Sequence, residues 1–181
     1  MSSEDRLAVG CPAVDRLLDG GLERQTVTQV YGPPASGKTN VALAAAVETV
    51  GAGGHVVYID TEGFSPDRLQ QILSAHSEDT SEATSALADR IVVKHAYDFD
   101  EQHDAVEETA ELAAETDLIV LDSATGFYRL ERVADAVEGD ALREITRQVT
   151  HLLGLARKHD LAVFVTNQVF TDPDADRVRP L

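Results

Sequence analysis

The chain has 181 residues, 43% of them hydrophobic, and its 32 acidic against 15 basic residues leave a formal charge of −17. That length fits one domain with a real core, and neither disorder nor membrane insertion is expected. No apolar run approaches the roughly 18 residues that cross a bilayer, and the opening Met1-Ser2-Ser3-Glu4-Asp5 is acidic rather than signal-like.

In chain order, the first strong element is Thr26-Val27-Thr28-Gln29-Val30-Tyr31, a β-branched run that predicts a buried strand. It runs into Gly32-Pro33-Pro34-Ala35-Ser36-Gly37-Lys38-Thr39, a complete G-x-x-x-x-G-K-S/T phosphate-binding loop. A backbone curled around a polyphosphate must point several N–H groups inward above a helix N-terminus. Gly32 and Gly37 supply the permissive dihedrals, Lys38 would reach the β and γ phosphates, and the Thr39 hydroxyl would hold Mg²⁺. Val41, Ala44, Ala45 and Glu48 continue a helix-compatible segment, broken at Gly51-Ala52-Gly53-Gly54. His55-Val56-Val57-Tyr58-Ile59-Asp60 reads as a second buried strand.

Ser65-Pro66-Asp67 opens a helix with Leu69, Ile72 and Leu73 on one face. The polar stretch 77–86 is expected as a surface excursion before a third strand, Ile91-Val92-Val93-Lys94-His95. Residues 99–116 predict an acidic helix with Val106, Ala110 and Ala113 inward, its charge read as a solvated face, followed by the strand Leu118-Ile119-Val120-Leu121-Asp122. The clearest helical stripe runs through Leu142, Ile145, Val149, Leu152, Leu153 and Ala156 into the strand Leu161-Ala162-Val163-Phe164-Val165. Apolar strands alternating with helices predict a parallel sheet covered on both faces. Cys11, the one cysteine, excludes an intrachain disulfide and a cysteine-built metal site and fits a reducing, cytoplasmic setting.

Ligands of parallel sheets lie beyond the carboxyl ends of the strands, so the polar residues ending each run belong together. Asp122 has the form of a carboxylate that binds Mg²⁺ directly or through its waters. Asp60 and Glu62 follow the second strand, where a carboxylate orients an attacking water or simply closes a turn. Asn167 and Gln168 end the last strand, where amides sense a γ phosphate or pair with loop backbone.

Four segments, in order, resemble the RecA-like recombinases. Leu7-Ala8-Val9-Gly10-Cys11-Pro12-Ala13-Val14-Asp15-Arg16-Leu17-Leu18-Asp19-Gly20-Gly21-Leu22 is similar to the segment that precedes their phosphate-loop strand. Tyr58-Ile59-Asp60-Thr61-Glu62-Gly63-Phe64-Ser65-Pro66-Asp67-Arg68-Leu69 and Val165-Thr166-Asn167-Gln168-Val169 resemble archaeal RadA patterns. Leu121-Asp122-Ser123-Ala124-Thr125-Gly126-Phe127-Tyr128-Arg129-Leu130-Glu131 looks most like the RadB family, the short archaeal paralogues of RadA. The resemblance covers nearly the whole chain.

It implies an α/β RecA-like P-loop NTPase core, with a mostly parallel sheet and helices on both faces, and a single ATP-binding domain over residues 1–181. ATP and Mg²⁺ are the implied cofactors. Gly32, Pro33, Pro34, Ala35, Ser36, Gly37, Lys38, Thr39 and Asn40 would cradle the nucleotide, and Thr39 and Asp122 would hold the metal. Glu62 would activate water, Lys38 would act with it, and Gln168 would be the switch amide between nucleotide and DNA.

The loops after Ser123 and Gln168 would face DNA through Arg129, Arg132, Arg177 and Arg179. By themselves these arginines, set among Glu131, Asp172, Asp174 and Asp176, read equally as solvated surface. Phe127 and Tyr128 read as base-stacking groups or as core. An acidic total argues against nucleic acid. With only three lysines (Lys38, Lys94, Lys158) it also resembles a halophile's composition, and at 1 M salt, where charges are screened within about 3 Å, a few local arginines would suffice.

The implied function is accessory to homologous recombination: ATP and DNA binding, weak hydrolysis, and partnership with the RadA recombinase, with single-stranded or branched DNA, and with further copies of itself. Two other readings stay open, a DNA-stimulated ATPase with recombinase activity of its own and a regulatory RecA-like ATPase that does not bind DNA. The phosphate loop begins at residue 32, which leaves no room for RadA's helical N-terminal domain, and the sequence stops at Leu181, where RecA-like cores continue. A truncated sequence and an unusually small core are both expected readings of that end.

Overall fold

The computed structural model describes residues 6–80, 83–127 and 138–169. Two short strands, β1 (Arg6–Leu7) and β2 (Leu22–Glu23), pair antiparallel and flank helix α1 (Pro12–Leu17). There follow β3 (Val27–Gly32), α2 (Lys38–Gly51), β4 (Val56–Asp60), α3 (Pro66–Thr80), α4 (Thr84–Ala88) and β5 (Ile91–His95). The chain continues through α5 (Phe99–Leu112), β6 (Leu118–Asp122), α6 (Glu138–His159) and β7 (Ala162–Gln168). Strands β3 to β7 form one parallel sheet in the order β3-β7-β6-β4-β5.

Side chains alternate across a strand, and here each face of the sheet has its own helical cover. Val57, Ile59, Ile119, Leu121, Val163 and Val165 pack with Val106 of α5 and Leu152 and Ala156 of α6. On the other face Val56, Tyr58, Leu118, Val120 and Phe164 pack with Leu43 and Ala46 of α2, Leu73 of α3 and Leu87 of α4. Burial on both faces is why β4 and β6 run apolar up to their terminal Asp60 and Asp122, every residue buried.

Several expectations are corrected. The first long strand is not buried: among the described strands β3 lies at the sheet edge, paired only with β7, and Tyr31 is 54% exposed. Residues 77–86 are not a simple excursion, because α3 runs on to Thr80 and α4 inserts Leu87 into the core. Ala110 points outward. The inner face of α5 carries Gln102, Ala105, Val106 and Thr109, and its two polar members each donate a hydrogen bond inside. Thr109 Oγ1 donates to the Val106 carbonyl at 2.6 Å, and Gln102 Nε2 donates to Gln148 Oε1 at 2.8 Å. Leu142, placed on the α6 stripe, is 41% exposed.

Parallel register levels the strand ends. Asp60, Asp122 and Thr166 stand side by side across β4, β6 and β7, and Gly32 of β3 stands opposite Gln168. The polar residues that end the apolar runs therefore meet along one edge of the molecule.

Candidate functional site

The loop between β3 and α2 is held in a conformation that a side chain at its last turn would resist. Gly37 caps α2 at φ +90°, and α2 starts at Lys38. Lys38 is buried, its Nζ donating to the carbonyls of Gly32 at 3.2 Å and Pro33 at 2.9 Å. A cavity of about 440 Å³ brings Pro34, Ala35, Ser36, Gly37, Lys38, Thr39 and Asn40 together with Glu62, Asp122, Ser123 and Gln168. Gly32 and Pro33 do not line it and act through the carbonyls that hold Lys38. Four segments far apart in sequence thus share one concave site.

Asp122 ends β6 and is 1% exposed. Its Oδ2 accepts from Tyr58 Oη at 2.7 Å and its Oδ1 from Thr166 Oγ1. Both donors come from neighbouring strands, so the sheet itself orients this carboxylate. Burial, together with the adjacent Asp122 and Asp60 charges, pushes the Tyr58 phenol far above its ordinary ionisation range, and it stays a donor. A buried carboxylate with a lone pair left on each oxygen, on the same cavity as Thr39, is the hard oxygen donor set that suits Mg²⁺ directly or through its waters.

Asp60 and Glu62 separate cleanly. Asp60 is 1% exposed and is used up locally: its oxygens accept from the backbone N–H groups of Glu62, Gly63 and Phe64 between 2.9 and 3.4 Å, and Oδ2 lies 3.1 Å from His95 Nδ1. It is the turn carboxylate of the two. Glu62 is exposed and lines the cavity. Its Oε1 accepts from Ser123 Oγ at 2.6 Å, and Gln168 Nε2 lies 2.9 Å from each carboxylate oxygen. Gln168 therefore reaches the site, whereas Asn167 is buried away from it on a separate cavity of about 250 Å³ between β3 and α6.

Sequence reasoning passed over Tyr58, Thr61, Ser123, Thr125 and Thr166. Thr125 Oγ1 accepts from the Gln168 N–H at 3.2 Å, which ties the loop after β6 to the end of β7. One signal is available: Tyr58 and Thr166 carry hydroxyls directly beside apolar residues of strands that read as buried, where a hydroxyl needs a partner. Arg129, Arg132, Arg177, Arg179 and Tyr128 lie outside the described residues.

A family model described as Rad51 matches residues 4–179. The chain is 61% identical over 180 residues to the DNA repair and recombination protein RadB of Halobacterium salinarum, covering 98% of this chain and 75% of that relative. The chain belongs to the Rad51 family and, within it, to RadB. RadB proteins of Methanoculleus marisnigri and Methanococcoides burtonii are 43% and 37% identical, each over 98% of this chain and 76% of the relative. The parallel sheet with helices on both faces bears out the RecA-like core expected for a Rad51-family chain. Among the described residues, no helix is long and apolar enough to cross a membrane.

Proposed function

We propose that this RadB chain is one ATP-binding core that serves DNA repair by homologous recombination, binding ATP and DNA, hydrolysing ATP slowly and assisting the RadA recombinase from the cytoplasm. The observation that carries the reading is the single cavity in which the phosphate loop meets Glu62, Asp122 and Gln168. Backbone N–H groups of residues 35–39 and the Lys38 side chain would bind the phosphates, with Pro34 and Asn40 beside them, and Thr39 and Asp122 would hold Mg²⁺. The metal, when bound, neutralises charge on the β and γ phosphate oxygens. Glu62 would orient water and take its proton. Gln168, one side chain from Glu62 and from the chain beyond β7, would couple the γ phosphate to DNA held by Arg129, Arg132, Arg177 and Arg179.

The exposed Glu62 on the cavity wall also suits the second reading, a DNA-stimulated ATPase with turnover of its own. Both readings share one test. Titration of ATP and Mg²⁺ in molar KCl should give binding that Lys38→Ala abolishes, and bound ATP should change affinity for single-stranded DNA and for RadA. Binding indifferent to Lys38, or DNA and RadA affinities indifferent to ATP, would overturn the proposal.

A further inference from the structure

Ser123 stands outside the phosphate loop and outside the residues assigned to metal or water, yet it touches Glu62 more closely than any other described group. Its Oγ donates to Glu62 Oε1 at 2.6 Å, and its side chain is almost wholly enclosed, the residue being 1% exposed. The backbone that carries it is fixed from both sides by one hydroxyl. Thr61 Oγ1 donates to the Ser123 carbonyl at 2.8 Å and accepts from the Ser123 N–H at 2.7 Å. The Thr61 N–H in turn donates to the Asp122 carbonyl at 2.8 Å. The ends of β4 and β6 are stitched together just before Glu62 leaves the sheet.

Gly126 is a second, independent sign that this arrangement sets spacing. A Cβ there would fall 2.8 Å from Thr61 Oγ1, 3.3 Å from Glu62 Oε1 and 3.4 Å from Ser123 Oγ. The chain passes so close to these three groups that a side chain at 126 would displace at least one of them.

We propose that Ser123 is a positioning residue for Glu62, whose hydroxyl fixes the carboxylate so that Oε2 is the oxygen offered to water. Among the described residues, Oε1 has two donors, Ser123 and Gln168, and Oε2 has only Gln168, so Oε2 keeps the spare acceptor capacity a base requires. When Gln168 turns toward a γ phosphate, Ser123 is the partner that stays. The inference rests on the ATP-hydrolysing reading above, and its test has one arm that does not.

Ser123→Ala should lower kcat about 10- to 100-fold, the scale of a misplaced catalytic group, with ATP affinity unchanged. In a Glu62→Ala background the same change should cost nothing further, because the group it positions is gone. An equal loss in both backgrounds would place Ser123 with Asp122 and the metal instead, and an unchanged kcat would end the proposal outright. The second arm needs no nucleotide. The Gln168 side-chain amide resonance in ¹H–¹⁵N spectra should move on Ser123→Ala when Glu62 is present and hold still in Glu62→Ala. A chain that failed to hydrolyse ATP would sink the functional reading alone, and equal movement in both backgrounds would sink the positioning role alone.

Discussion

Asp122 and Glu62 are both carboxylates on the same cavity, and they are held in opposite ways. Asp122 is the last residue of a central strand, buried, with Tyr58 and Thr166 of the flanking strands supplying its donors. Glu62 lies two residues beyond β4, is exposed, and takes its donors from Ser123 and Gln168 at the ends of other strands. The first is part of the sheet's register and cannot move without it. The second depends in part on Gln168, a side chain that a ligand can draw away. A fixed charge suits a metal, and a releasable one suits a base that acts only when nucleotide is in place.

Substitutions should break that contrast in order. Asp122→Asn places an amide between two hydroxyl donors in the core, so it should cost about 1–3 kcal/mol of stability as well as abolishing Mg²⁺-dependent turnover, read by urea midpoint and by product release. Glu62→Gln should leave the urea midpoint unchanged, since the side chain is exposed, and should lower turnover about 100-fold or more with ATP affinity intact. A matching loss of stability in both variants would erase the distinction.

Tyr58→Phe sharpens it further. The folded phenol keeps its proton well past the point at which an unfolded tyrosine, near pH 10, releases its own. Above about pH 10 the unfolded state therefore binds fewer protons, and wild-type stability should fall with rising pH by up to about 1.4 kcal/mol per unit. Tyr58→Phe should be about 1 kcal/mol less stable near neutrality and should lack that share of the alkaline slope, as denaturation at stepped pH would show. His95→Ala should matter least, because three backbone N–H groups still hold Asp60, and turnover should change less than about threefold.

What could be read in advance was whatever is local in sequence. The phosphate loop is one contiguous motif, and Asp122 announces itself by ending four apolar residues. The edge position of β3 is not legible in its sequence because strand order is a property of pairing, and a β-branched run looks the same at an edge as at the centre. The apolar stripe of α5 predicts Ala110 inward, whereas the helix instead buries Gln102 and Thr109, each donating an internal hydrogen bond. The division of labour between Asp60 and Glu62 was likewise hidden. It depends on the turn from residue 62 to 64 and on His95 of the neighbouring strand. Ser123, Tyr58 and Thr166 matter only because parallel register sets them beside carboxylates 44 to 64 residues away in the chain.

The most direct test is steady-state ATP turnover in molar KCl and Mg²⁺, with and without single-stranded DNA, using Lys38→Ala as the blank. Turnover that is slow in wild type, changes with DNA and vanishes in Lys38→Ala is the result the cavity predicts. Turnover that survives Lys38→Ala would contradict the assignment of this loop, and with it the account of the site.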